Sequence, residues 1–241
     1  MEPCSLHPFD LTTVQTYVHQ LAANELATPA SANAITAGLA HDLATKHPTF
    51  AHYGLGLTPI EARIDRGVGM LLRPPSRLFG DAGLDQTLSR SLPIRVDLAG
   101  GMMGGAFIPA RLIPDLQRLI DRRTERFLKR MAEAEMDNVA ALGLLIEACQ
   151  YAIDYDLGIY EAVNVILPDA PESWPPGAKV IGADRKRLDR DLRKRLEEAA
   201  KPPKKPGLMA RLFAKRAVQT TPNGHIEGAD GLAEPWDDRQ R

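Results

Sequence analysis

The 241 residues are 44% hydrophobic and 25% charged, proportions that suit one globular domain, alone or with an extension. Two cysteines far apart in the chain, Cys4 and Cys149, are unlike a disulfide framework, and no apolar run approaches the ~18 residues that span a bilayer. The net charge of −1 hides an asymmetry: residues 1–183 hold 15 basic and 21 acidic side chains, residues 184–216 hold 13 and 5, and residues 217–241 hold 2 and 5.

No cationic start followed by an apolar stretch opens the chain, which predicts no signal peptide and, with no N-x-S/T sequon, a cytoplasmic protein. Arginine and alanine outnumber lysine and isoleucine, a bias of bacterial genomes rich in GC. In chain order, Asp10 is placed to cap a helix bearing Val14, Tyr17, Val18 and Leu21 on one face. A second helix is predicted over 31–46, with Ile35, Leu39 and Leu43 on one side, and a short one after Thr58. Residues 68–72 and 92–98 are short runs bounded by Gly and Pro. The second alternates Ile94, Val96 and Leu98 with Arg95 and Asp97, as a half-buried strand does.

The segment Gly100–Gly105 reads as a loop. A long helix is expected from about Pro114 to Glu135, and Asn138 is placed to cap a helix over 139–154 that is apolar round most of its circumference. Joined by a very short turn, these two form an antiparallel hairpin at the heart of the fold. After Gly158 a short helix or turn leads to 163–167, and then a proline-rich loop over 168–177. Residues 184–200 form a charged helix whose apolar seam is Leu188, Leu192 and Leu196, ended by Lys201-Pro-Pro-Lys-Lys-Pro206. The pattern therefore predicts a mainly α domain over 1–183, or α+β with a small two-stranded element, then a peripheral helix over 184–200 and a flexible tail over 201–241.

Candidate chemistry is sparse. The His41-Asp42 dipeptide resembles the metal-binding dipeptide of HD-type phosphohydrolases, but a dipeptide arises by chance in a chain with this many aspartates. Cys4-x-x-His7 supplies at most half of a zinc site, on a mobile N-terminus, so no metal site and no cofactor are expected. The Gly100–Gly105 loop lacks both the Gly-Lys-Ser/Thr ending of a phosphate loop and the G-x-G-x-x-G fingerprint. A weak anion site is conceivable from Arg73, Arg77, Gly104 and Gly105, since arginine grips carboxylate and phosphate in a bidentate manner. Gly143, Glu147, Gln150 and Asp154 share one helical face and read as a polar strip towards water, with Cys149 on the opposite, core side.

The basic stretch is the strongest functional feature. Within it, residues 207–218 form a short amphipathic segment. Leu208, Met209, Leu212 and Phe213 stand at helical spacing opposite Arg211, Lys215 and Arg216, a pattern for a partner groove or an anionic membrane surface. Phe213 is its only aromatic, which argues against base stacking and sequence-specific nucleic acid binding. The expected function is that of a non-catalytic intracellular interaction protein: an adaptor, a regulator or an immunity-type binder. The alternatives are a metal- or anion-dependent enzyme near Gly100–Gly105, and a protein that associates with membranes through its basic tail.

Overall fold

A computed structural model of the chain describes residues 2–23, 32–93, 103–168 and 175–201. The chain divides into two units, Met1–Ala200 and Lys201–Arg241, and of the second only Lys201 is among the described residues.

The first unit is built on five strands: β1 (Pro3–Phe9), β2 (Thr49–Tyr53), β3 (Met103–Ile108), β4 (Gly158–Val163) and β5 (Val180–Ile181). They form one sheet in the order β3-β4-β1-β2-β5. The pairings β3–β4, β4–β1 and β1–β2 are antiparallel, and β2–β5 is parallel. Among the described residues eight helices accompany the sheet: α1 (Leu11–Ala23), α2 (Ala32–Lys46), α3 (Leu57–Arg63), α4 (Pro75–Asp81), α5 (Gln86–Ser91), α6 (Ile113–Glu133), α7 (Asn138–Asp154) and α8 (Arg185–Ala200). A 3-10 turn over Arg66–Met70 follows α3.

Strand alternation separates two cores. Leu6 lies opposite Phe50 on β2 and Glu161 on β4, and this face packs with Ile108, Ile159 and the apolar sides of α3, α6 and α7. Ser5, His7 and Phe9 point the other way. There Phe9, Phe107, Tyr160 and Ala162 pack against Val14 and Val18 of α1, Leu39 and Leu43 of α2, and Phe79 of α4. The α8 helix lies outside α7 and adds Leu188 and Leu192 to the first core.

The expectation of a mainly α fold with at most two strands is wrong: the fold is α+β around a five-stranded mixed sheet. The N-terminus is no mobile appendage, because β1 is the central strand and Cys4 and His7 are both buried in it. Pro8 is tolerated there because it lies past the last β1–β2 pair, Leu6↔Phe50, and interrupts no ladder on that side. Residues 103–105, read as loop, begin β3, where the closeness of the Tyr160 and Thr36 side chains demands glycine at 104. The segment after Gly158, read as helix or turn, is β4, buried along its whole length. Val68 lies in the 3-10 turn rather than a strand, since Asp65 accepts the Gly67 amide and caps it. Leu92 ends α5, and 94–98 fall outside the described residues.

The α6–α7 hairpin stands as expected. Its cap is Asp137, which accepts the Ala140 amide, while Asn138 Nδ2 donates across the turn to Leu128 O at 3.1 Å. Asp10 caps α1 through the Thr13 amide at 2.8 Å.

A Cβ at Gly104 would run into Tyr160 Oη and Thr36 Cβ. Gly104→Ala is therefore expected to lower stability by about 2–3 kcal/mol in urea denaturation. Because Tyr160 supplies the colliding oxygen, Gly104→Ala/Tyr160→Phe should cost less than the sum of the two single changes.

Candidate functional site

Two titratable groups sit in the middle of the sheet, back to back on neighbouring strands. Glu161 of β4 faces α3 and is fully buried. Its Oε1 accepts the Thr58 amide at 2.9 Å and its Oε2 accepts Thr58 Oγ1 at 2.7 Å. The Leu57 and Ala106 amides also donate to it. Since α3 starts after Gly56, which has no capping side chain, a carboxylate from another strand satisfies the amides of its first turn. Glycine is needed at 56 because a Cβ there would lie 2.7 Å from Glu161 Oε1 and 3.2 Å from Cys4 Sγ. Burial pushes the Glu161 carboxyl up to about 7, against the lowering effect of its donors. Burial and the nearby Glu161 charge push the Cys4 thiol up as well, so it is no thiolate nucleophile.

On the opposite face His7 accepts or donates at both ring nitrogens: Ser5 Oγ lies 2.8 Å from Nε2 and Thr49 Oγ1 3.2 Å from Nδ1. Ser5 next to His7 has the look of a nucleophile and base. Both are fully buried, and Ser5 Oγ is turned towards Ala162 O at 3.4 Å. Burial, helped by the charge of His41, lowers the His7 pKa to about 3, so the ring is neutral at pH 7. Beside it Tyr160 Oη donates to Thr36 O at 3.2 Å, and Thr36 Oγ1 accepts the Gly104 amide at 3.1 Å. These groups are sealed scaffold rather than reaction machinery.

Of the anion donors singled out from sequence, Arg73 and Gly104 are engaged within the chain. Arg73 Nη1 donates to the carbonyls of Met70 and Leu72, and the Arg73 backbone pairs with Phe107. The Gly104 amide is held by Thr36, Gly105 is buried in β3, and Arg77 is exposed on α4. Leu208, Met209, Arg211, Leu212, Phe213, Lys215 and Arg216 lie outside the described residues. Asp42 pairs with Lys46 at 3.0 Å, and among the described residues no group of three or more His, Cys, Asp or Glu could hold a metal ion. No helix among them is long and apolar enough to cross a membrane.

Many exposed charged side chains lie on α6 and α8. Glu147, expected to face water, forms a bidentate pair with Arg187 of α8, its Oε2 accepting Nη2 at 2.9 Å. Gly143 of the same strip is buried beneath Leu188. Arg195 pairs with Asp121 of α6, and Arg185 with Asp137 at 3.7 Å. The cations of α8 thus partly fold back on the body, while Lys186, Arg190, Arg193 and Lys194 stay exposed.

Between α6 and the last turns of α8 lies a cleft of about 750 Å³ whose walls include Arg122, Arg126 and Arg195. Here α6 is kinked, with Arg123 at φ −127° and ψ 18°. Thr124 Oγ1 bonds back to Ile120 O at 2.9 Å, a contact that bends helices. Asp65, 2% exposed, accepts Arg123 Nη1 at 2.9 Å and lies 3.6 Å from Arg126 Nε. Burial raises its pKa, but the Arg123 hydrogen bond, the Gly67 amide and both guanidinium charges outweigh it, and the net shift is downward. Arg122, Arg123 and Arg126 were not singled out by sequence; the only signal was the dense charge on the polar side of α6.

Comparison with protein-family models, curated proteins and solved structures finds no match to this chain.

The two buried groups bias stability in opposite directions. Folded, Glu161 keeps its proton up to about 7 instead of 4.5, so it contributes a loss of stability as pH rises through that window. His7, held near 3 instead of 6.5, contributes a loss as pH falls below 6.5. Between about 4.5 and 6.5 the two slopes oppose each other. Glu161→Gln should remove one, its stability relative to wild type gaining ~3 kcal/mol from pH 4.5 to 7. His7→Gln should gain relative to wild type as pH falls. Urea titrations at several pH values read both.

Proposed function

We propose that this chain is a non-catalytic binding protein of the cytoplasm, an adaptor, regulator or immunity-type binder, and that it presents the cationic face of α6 and α8 to an acidic protein. The observation that carries this is the fixing of α8 on the body: Leu188 and Leu192 are 2% and 4% exposed, which holds the outer basic row in place. In α6 there are six basic and four acidic residues and in α8 seven and four, whereas the rest of residues 1–183 carries 9 and 17. Net positive charge is therefore concentrated on these two helices, an arrangement that steers an oppositely charged partner and fixes its orientation.

One feature favours a protein over other anions. Acidic residues interleave with the basic ones on α8, as in the pairs Arg193–Asp189 at 3.0 Å and Arg190–Asp191 at 4.0 Å. Such a mosaic fits a surface with charges of both signs better than a uniformly anionic lipid. The strongly shifted titratable groups Cys4, His7, Tyr160 and Glu161 are buried, which supports binding over catalysis.

The test is affinity capture from the native cell with the full chain and with Arg190→Glu/Lys194→Glu, both positions exposed. We expect a partner of acidic composition, recovered at least ~10-fold less by the variant and released as ionic strength rises. The same proteins retained equally by both forms, at any salt, would refute the reading.

A further inference from the structure

We infer that the cleft between α6 and α8 seats one amphipathic acidic helix of the partner. This rests on the binding function proposed above and names the element of the partner that makes the contact.

The inference starts from the apolar seam of α8. Leu188 and Leu192 are covered by the first core, but Leu196, next in the same row, is only half-buried and lines the cleft. The seam therefore continues past the point where the body covers it. With Leu196 in the cleft stand Thr124, nearly buried, and Ala199, both small enough for another backbone to approach. On the α6 wall are Arg122 and Arg126, one turn apart, and Arg195 stands on the α8 wall.

An arginine-rich rim of mixed charge round a short apolar floor selects a ligand with the inverse pattern: carboxylates one turn apart flanking an apolar stripe. A helix supplies this with acidic residues at i and i+4 beside leucines at the same spacing. The floor from Leu196 to Ala199 is about 5 Å long at 1.5 Å per residue, which accommodates about one turn. Asp121, which pairs with Arg195, and Glu125 and Glu198 also border the cleft, so the fitting helix is acidic on one flank of its stripe and not all round.

A binding assay with the full chain tests this. The probe is a synthetic 14-residue peptide with leucines at i, i+4 and i+7 and glutamates along one flank. The control is the same peptide with a proline at its centre in place of one outer residue. Fluorescence anisotropy at low salt should show the helical probe binding at least ~10-fold tighter than the proline control. Leu196→Asp should erase that preference and Leu196→Met should keep it, with both variants checked for unchanged circular dichroism. Equal binding of the two peptides, or a preference that survives Leu196→Asp, overturns the inference. If, in that case, Arg190→Glu/Lys194→Glu still weakens both peptides, the cationic-face reading stands while the groove falls. No binding of either peptide also overturns the groove, and the capture experiment then decides the broader reading alone.

Discussion

The absence of a side chain at Gly143 allows the charged C-terminal helix of the first unit to become part of the fold. A Cβ there would sit 2.8 Å from Leu188 Cδ2 and 2.9 Å from its Cβ, so α8 lies against α7 at a separation that only glycine permits. A glycine within a helix costs roughly 1 kcal/mol relative to alanine. Burying Leu188 and Leu192 returns about 1.5–3 kcal/mol each, which decides the balance in favour of docking. The Arg187–Glu147 and Arg195–Asp121 pairs are part-exposed and add little energy by comparison, but they set the rotation of α8 and so determine which basic residues look outward. The cationic surface follows from this one contact: without it the same residues would form a loose arm, and neither the cleft beside α6 nor the alignment of Leu196 with Arg122 and Arg126 would exist.

The sheet beneath is held by polar groups as well as by apolar packing. Glu161 ties β4 to the first turn of α3, and His7 ties β1 to β2 through Thr49. Each is nearly saturated with partners, the condition under which burying a polar group is tolerated. Downstream of α3, Asp65 reaches α6 and fixes Arg123 where the helix bends. A continuous physical chain thus runs from the buried carboxylate in the sheet to the wall of the charged cleft.

How much of this was legible depended on the length of each element and on what its face meets. The α6–α7 hairpin was readable because 21 and 17 residues give several turns of periodic signal. The leucine seam of α8 was readable for the same reason. The strands were not: they have seven residues or fewer, and their apolar alternation is broken by groups whose partners lie far away in sequence. Pro3, Ser5, His7 and Pro8 disguise β1, Gly104 and Gly105 disguise β3, and Glu161 disguises β4. Each exception has a reason visible only in three dimensions: a ladder that ends before Pro8, a tyrosine pressed on Gly104, a helix start capped by Glu161. The polar strip on α7 faces water at Gln150 and Asp154, as its spacing implied, but Gly143 is buried and Glu147 meets an arginine forty residues later. The excess of basic residues after 184 was plain in the sequence, yet its distribution between paired and outward-facing cations was not.

Hydrogen exchange across α8 addresses the docking of that helix most directly. The account predicts that amides from Leu188 to Arg195 exchange slowly in the native full-length chain, and that Gly143→Leu accelerates them while α6 and the sheet keep their protection. Native α8 amides exchanging at the rate of an unstructured peptide, or an α8 indifferent to a leucine at 143, would contradict it.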